Sequence, residues 1–292
     1  VRPRRSALYL PGNNARAMQK GQTLPADVLI FDLEDAVGPD AKVDSRRAVC
    51  EAVSSGKYWP REIVVRVNGF GTDWHDDDLA AVAESAADGV LVPKVGTAQQ
   101  VQELVASLQR LGAPDSLQLW VMVETPGAFL RTEEIASASD RLAVLVVGTN
   151  DLVNELHGLH VPGRAPVVPA LALTVLGARA AGKVVLDGVF NAINDDAGFA
   201  AEARQGREMG FDGKTLIHPS QIVPANDVFG PSEKELAEAG KIVSAYERAQ
   251  AAGESVITVD GRMIESLHVR GAQRILALAE RISELESQSG TP

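Results

Sequence analysis

One cysteine, Cys50, in 292 residues leaves this chain with no disulfide framework and no cysteine-built metal site. Its apolar runs are short. Leu142–Val147, one of the longest, falls far below the roughly 20 residues needed to span a bilayer. No apolar stretch follows Val1-Arg2-Pro3-Arg4-Arg5 to form a signal peptide, so a cytoplasmic, soluble protein with no membrane partner is expected. The five histidines contain no His-Glu-x-x-His or similar cluster, which disfavours zinc. Positive charge is outnumbered, with 28 Lys and Arg against 39 Asp and Glu. A net charge of −11 argues against nonspecific nucleic-acid binding, though not against a phosphorylated ligand held by a few local cations. Aromatic residues make up only 4% of a chain that is 45% apolar. The apolar share is instead Ala, Val and Leu, which suits buried parallel strands alternating with alanine-rich helices.

Short β-like runs recur about every 25–40 residues, the length of a βα unit. They are Ala7–Leu10, Val28–Phe31, Ile63–Val67, Gly89–Val92, Leu119–Val123, Ala143–Val147, Val184–Val189 and Lys214–Ile217, with helical stretches such as Leu79–Ala87, Ala98–Leu111 and Phe199–Met209 between them. Eight units predict an α/β fold, a closed (β/α)₈ TIM barrel. An open doubly wound sheet is the rival, but no Gly-x-Gly-x-x-Gly follows the first strand. Pro224–Pro231 reads as a linker. Helices at about 233–251 and 264–285 follow it, with an extended piece at 255–260 between them. Residues 1–229 are thus assigned to the barrel and 230–292 to a C-terminal helical extension, too small to fold alone and expected to pack on the barrel or on a neighbouring subunit.

Nearly every strand ends in a polar group: Asn13, Asp32-Leu33-Glu34-Asp35, Arg66 and Asn68, Lys94, Glu124, Asn150-Asp151, Asp187 and His218. Barrel enzymes place their chemistry at this C-terminal face. Strand ends are polar in any case where loops meet water, but so many charged ends are harder to dismiss. Glu124 and Asp151 each follow a run too apolar to be exposed. Two carboxylates completed by water and substrate oxygens suit Mg²⁺; carboxylates merely paired with Lys or Arg are the alternative. Arg66, inside Val64-Val65-Arg66-Val67-Asn68, needs an anion, either a substrate oxygen or a structural partner in Glu34 or Asp35. His218-Pro219 reads as a turn element, Asp76-Asp77-Asp78 as the acidic first turn of a helix, and Cys50 as a small packing residue.

These residues sit in a series of motifs that closely resembles the citrate lyase β-subunit-like branch of the HpcH/HpaI aldolase superfamily, from Arg5 to about Leu276. The series includes Arg5-Ser6-x-Leu8-x-x-Pro11-Gly12, Phe31-Asp32-Leu33-Glu34-Asp35-Ala36-Val37, Arg66-Val67-Asn68, Pro93-Lys94 and Val123-Glu124-Thr125-Pro126. It continues with Asp151-Leu152, Gly210-Phe211-Asp212-Gly213-Lys214, Ile217-His218-Pro219-Ser220-Gln221 and Val259-Asp260-Gly261-Arg262-Met263. The resemblance implies a barrel with a C-terminal helical segment, assembled as a homotrimer or homohexamer. It implies Mg²⁺ at Glu124 and Asp151, a substrate-contacting Arg66, and Asp260 as an acid/base reaching a neighbouring subunit's site. One departure stands out: citrate lyase β subunits tend to carry Glu-Asp where this chain has Asn150-Asp151. That disfavours a citryl thioester and leaves malyl- or citramalyl-CoA.

The reaction so implied is retro-Claisen cleavage of a 3-hydroxyacyl-CoA to acetyl-CoA and a 2-oxo acid. Arg66 would stabilise the thioester enolate, Asp260 would protonate it, and Glu34 and Asp35 would orient Arg66 and the waters around the ion. Arg5, Arg16 and Lys20, near the first βα loop, are candidates for the coenzyme A phosphates. Three other activities fit the same residues: a malyl-CoA thioesterase, a metal-dependent aldolase on free pyruvate, and a lyase subunit dependent on an acyl carrier.

Overall fold

The structure, a computed structural model, describes residues 2–252 and 257–288. Arg4–Asn226 form one compact unit, and the described residues outside that range cluster as a second.

The first unit is a closed barrel of eight parallel strands. They are β1 (Ser6–Pro11), β2 (Val28–Asp32), β3 (Glu62–Arg66), β4 (Gly89–Val92), β5 (Gln118–Val123), β6 (Leu142–Val147), β7 (Val184–Asp187) and β8 (Gly213–Leu216). Each strand pairs with the next, and β8 closes on β1 through Ser6↔Lys214 to Leu8↔Leu216. The strands are almost wholly apolar because both faces are covered, one by the barrel interior and the other by helices. Every second residue points inward. Ala7, Val28, Ile30, Val64, Leu91, Trp120, Met122, Val144, Val146 and Leu186 form one buried cluster that fills the interior. The N-terminal end of the barrel is closed by ion pairs: Arg4 donates to both oxygens of Glu62 at 2.6 and 2.7 Å, and Arg5 to both oxygens of Asp27 at 2.9 Å.

Two expectations need correcting. Pro224 does not open a linker: Ile222–Phe229 is a helix, and Pro224 stands in its first turn, where a missing N–H costs nothing. The helix expected at 79–87 spans His75–Ala83, with Asp76, Asp77 and Asp78 at its positive N-terminal end. Among the described residues, no helix is long and apolar enough to cross a membrane.

In the second unit, helices Glu233–Ala252 and Ser266–Gln288 pack on each other and flank a hairpin of β9 (Ile257–Val259) and β10 (Arg262–Ile264). Residues 255 and 256 of the expected extended piece lie outside the described residues. Asp260 and Gly261 form the two-residue turn, both with positive φ (48° and 78°), the conformation that tight hairpins demand and that Asp-Gly favours. The exposed Asp260 carboxylate meets the Lys241 ammonium at 3.1 Å.

Candidate active site

The inward-facing series that builds the core also builds the site. Following it toward the C-terminal face leads from Ala7 to Tyr9, from Ile30 to Asp32, from Val64 to Arg66 and from Met122 to Glu124. Tyr9, Asp32, Arg66 and Met122 line a cavity of about 330 Å³, together with Asp35, Gly148, Thr149, Asn150 and Asp151. Asp32 and Arg66 are register partners on β2 and β3, which explains their pairing. The guanidinium is held bidentately by Asp32 at 2.7 Å on both oxygens, approached by Glu34 at 2.9 Å and Asp35 at 3.3 Å, and lies over the Tyr9 ring at 4.8 Å. Asp32 also accepts from the backbone N–H groups of Glu34 and Ala36, while Lys42 donates to the carbonyls of Leu33 and Glu34. The loop carrying Glu34 is therefore fixed on both sides. Burial pushes the Glu34 carboxyl up to about 7, against the pull of Arg66.

Glu124 stands just past the end of β5, 2% exposed. Its Oε1 accepts from the Lys94 backbone N–H at 2.6 Å. Gly148, just past β6, gives the carboxylate its space: a Cβ there would come within 2.4 Å of Glu124 Oε2. Burial first, and then the charge of Asp151, raise the Glu124 carboxyl to about 8. Asp151 sits in the first turn of helix Thr149–Glu155, half-exposed at the cavity wall. A buried carboxylate repelled by a second one is an arrangement that calls for a cation. No group of three or more metal-binding side chains occurs among the described residues. Two carboxylates with room for water fit Mg²⁺, which binds through few protein ligands, better than zinc or calcium.

Lys94, just beyond β4, has φ +57°, and its ammonium lies 3.8 Å from Glu34 Oε1 and 3.9 Å from Asp151 Oδ1. Burial opposes its charge, but Glu34, Asp151, Glu124 and Asp35 outweigh that and hold its pKa above the ordinary value. A second cavity of about 620 Å³ adjoins the first, sharing Thr149 and Val189. Between the two, the side-chain amides of Asn150 and Asn191 bond reciprocally at 2.8 and 3.2 Å.

The structure thus gathers Glu34, Asp35, Arg66, Glu124 and Asp151 at one mouth. Arg5 is a correction. It immediately precedes β1, at the end opposite the cavity, with its buried guanidinium committed to Asp27, so it is not placed to meet a phosphate at the mouth. Arg16 and Lys20 are exposed on helix Ala15–Gly21, which follows β1. Asp260 belongs to the other unit. Asn68 is buried and structural, bonded to Asp78, Lys42 and the Leu33 carbonyl. His218 caps its own turn, accepting from the Ser220 N–H.

The main partner of Arg66 is Asp32, rather than Glu34 or Asp35 as expected from the sequence. Inward alternation along β2 was the signal for it. Tyr9 was missed, and Gly148, just past the sixth strand, was given no role: Tyr9 reads as one more strand aromatic, and the need for Gly148 arises only from a contact between strands.

Fold and site together define a barrel enzyme with a buried carboxylate, Glu124, facing a half-exposed one, Asp151, at its C-terminal face. Residues 5–219 match the HpcH/HpaI aldolase/citrate lyase family, and the chain belongs to it. It is 47% identical to a (3S)-malyl-CoA thioesterase of Cereibacter sphaeroides, over 96% of each chain. It is 34% identical to an L-malyl-CoA/beta-methylmalyl-CoA lyase of the same species, over 97% of this chain and 96% of that one. Among solved structures it resembles CitE from Mycobacterium tuberculosis in complex with magnesium, acetoacetate and coenzyme A, with a TM-score of 0.76 and 30% identity, covering 94% of this chain and 97% of that one.

Proposed function

We propose that this enzyme acts, with Mg²⁺, on a coenzyme A thioester of the malyl-CoA type, a 3-hydroxyacyl group bearing a carboxylate at C3. The observation that carries this reading is the charge-repelled pair Glu124 and Asp151, in which the buried Glu124 is held by the Lys94 N–H and given space by Gly148. When bound there, the ion supplies Lewis-acid polarisation and a grip on the substrate's carboxylate and hydroxyl. Arg66, locked by Asp32, presents a fixed positive charge on the cavity wall for a developing thioester oxyanion. Glu34, with a pKa of about 7, is poised to take and return a proton near neutral pH. Asp260 is the second proton-transfer candidate, serving a neighbouring copy's site in a homotrimer or homohexamer. Arg16 and Lys20 remain candidates for the coenzyme A phosphates, and the adjoining cavity gives a long ligand room.

The net reaction favoured is hydrolysis of the thioester to the free hydroxy acid and coenzyme A, because the 47% identical relative is a thioesterase. Carbon–carbon cleavage, the reaction expected from the motifs, is the second reading, supported by the lyase at 34% identity. Incubation with malyl-CoA and citramalyl-CoA, with Mg²⁺ or EDTA, separates them. Free coenzyme A with intact hydroxy acid is the expected result. Acetyl-CoA with glyoxylate or pyruvate would establish the lyase instead, and turnover of neither thioester would overturn both.

A further inference from the structure

Three cations approach the carboxylates at the mouth, and they are held very differently. Arg66 is 9% exposed and bonded to Asp32 on two nitrogens. Lys42 is buried and bonded to two carbonyls and Asn68. The Lys94 side chain is 54% exposed, and its ammonium stands 3.8 and 3.9 Å from Glu34 and Asp151, beyond hydrogen-bond length from either. It is attracted by both and fastened to neither.

The backbone at Lys94 adds a second observation. A side chain at φ +57° is in a region L-residues avoid, where glycine would relieve the strain. The chain keeps a lysine there, with its N–H on Glu124 and its ammonium between Glu34 and Asp151. One residue therefore meets all three carboxylates around the place assigned above to the metal, bonding Glu124 through its backbone and facing Glu34 and Asp151 with an unfastened charge.

We propose that the Lys94 ammonium is a stand-in cation: it neutralises Asp151 and Glu34 in the metal-free enzyme, competes with Mg²⁺ for Asp151, and swings out when the ion enters. This rests on the reading of Glu124 and Asp151 as the metal ligands. Mg²⁺ affinity is then weaker than the carboxylates alone would give, and the site stays open when no ion is bound. A purely structural lysine makes the opposite prediction, since removing it would loosen the site and weaken metal binding.

The test is calorimetric titration of Mg²⁺ into metal-free wild type, Lys94→Met, Lys94→Arg and Glu124→Ala. Lys94→Met keeps the aliphatic length and the backbone N–H but removes the charge. Loss of one competing charge about 4 Å away at a half-exposed site predicts about tenfold tighter Mg²⁺ binding. Lys94→Arg should stay near wild type. Unchanged or weaker binding by Lys94→Met, while Glu124→Ala loses binding, overturns the role of Lys94 alone. No binding by wild type, or undiminished binding by Glu124→Ala, overturns the metal assignment itself. Should Lys94→Met fail to fold, the wild-type enzyme decides. Reductive methylation at Lys94, followed by mass spectrometry against the other lysines, should quicken when Mg²⁺ is added, and an unchanged rate rejects displacement.

Discussion

Glu124 and Asp187 are both buried carboxylates near strand ends on the same barrel, and the protein treats them in opposite ways. Asp187 points outward, since its neighbour Leu186 belongs to the interior cluster. Lys214, its register partner on β8, donates to it at 3.0 Å, and Arg164 donates to both its oxygens at 2.7 and 2.9 Å. Burial would raise its carboxyl, but Lys214 and Arg164 outweigh that and hold it below the ordinary range. Glu124 points inward, accepts one backbone N–H and faces another carboxylate, so its carboxyl rises. A charge matched by its own neighbours is architecture, and a charge left unmatched in a cavity is an invitation to a ligand. At Glu124 this favours the metal reading over the ion-pair one.

Substitution tests the contrast directly, and the largest effect is expected at the unmatched carboxylate. Glu124→Gln should cost at least about a thousandfold in Mg²⁺-dependent turnover, the scale of losing several kcal/mol of metal-supplied stabilisation, while circular dichroism shows an intact barrel. Substantial remaining Mg²⁺-dependent activity would erase the distinction. Asp187→Ala should do the reverse. Stranding Lys214 and Arg164 in the interior should cost about 3–5 kcal/mol of stability in urea unfolding. Partial compensation by Glu202, 2.8 Å from Lys214, sets the lower end of that range. A loss below about 1 kcal/mol would mean that the network contributes no more than an exposed ion pair.

The same contrast shows what was legible in the sequence. All eight strands were, because a parallel barrel writes each one as a buried apolar run bounded by polar loops. The residues at the strand ends could be read too, since Glu124 directly follows β5 and Asp151 lies in the first turn of the helix after β6. Matching of charge could not. Asp187 and Glu124 look equivalent in one dimension, and only the pairing of β7 with β8 and the return of Arg164 from a distant loop separate them. Arg5 misled for a related reason. Closeness to the first βα loop in sequence does not reveal that a six-residue strand carries the chain from one end of the barrel to the other.

The subtlest expected difference lies in the pH dependence of stability without metal. Glu124 rises from an ordinary 4.5 to about 8 in the fold, and Glu34 to about 7. A carboxyl raised by folding is more stable protonated, so its contribution is complete below about pH 4.5 and fades as pH climbs toward 8. Asp187 behaves oppositely: its contribution is complete above an ordinary 3.8 and is lost only as pH falls through its depressed value. The metal-free enzyme should therefore melt progressively lower between about pH 5 and pH 8, and Glu124→Gln should flatten that slope by removing one of the two titrating groups. Saturating Mg²⁺ should flatten it as well in wild type, by giving the ionised carboxylate the partner that the fold withholds. Melting curves at three pH values, with and without Mg²⁺, suffice. A slope that Glu124→Gln leaves unchanged would place the burden on Glu34, and Glu124 would then have to be matched by the protein itself, as Asp187 is.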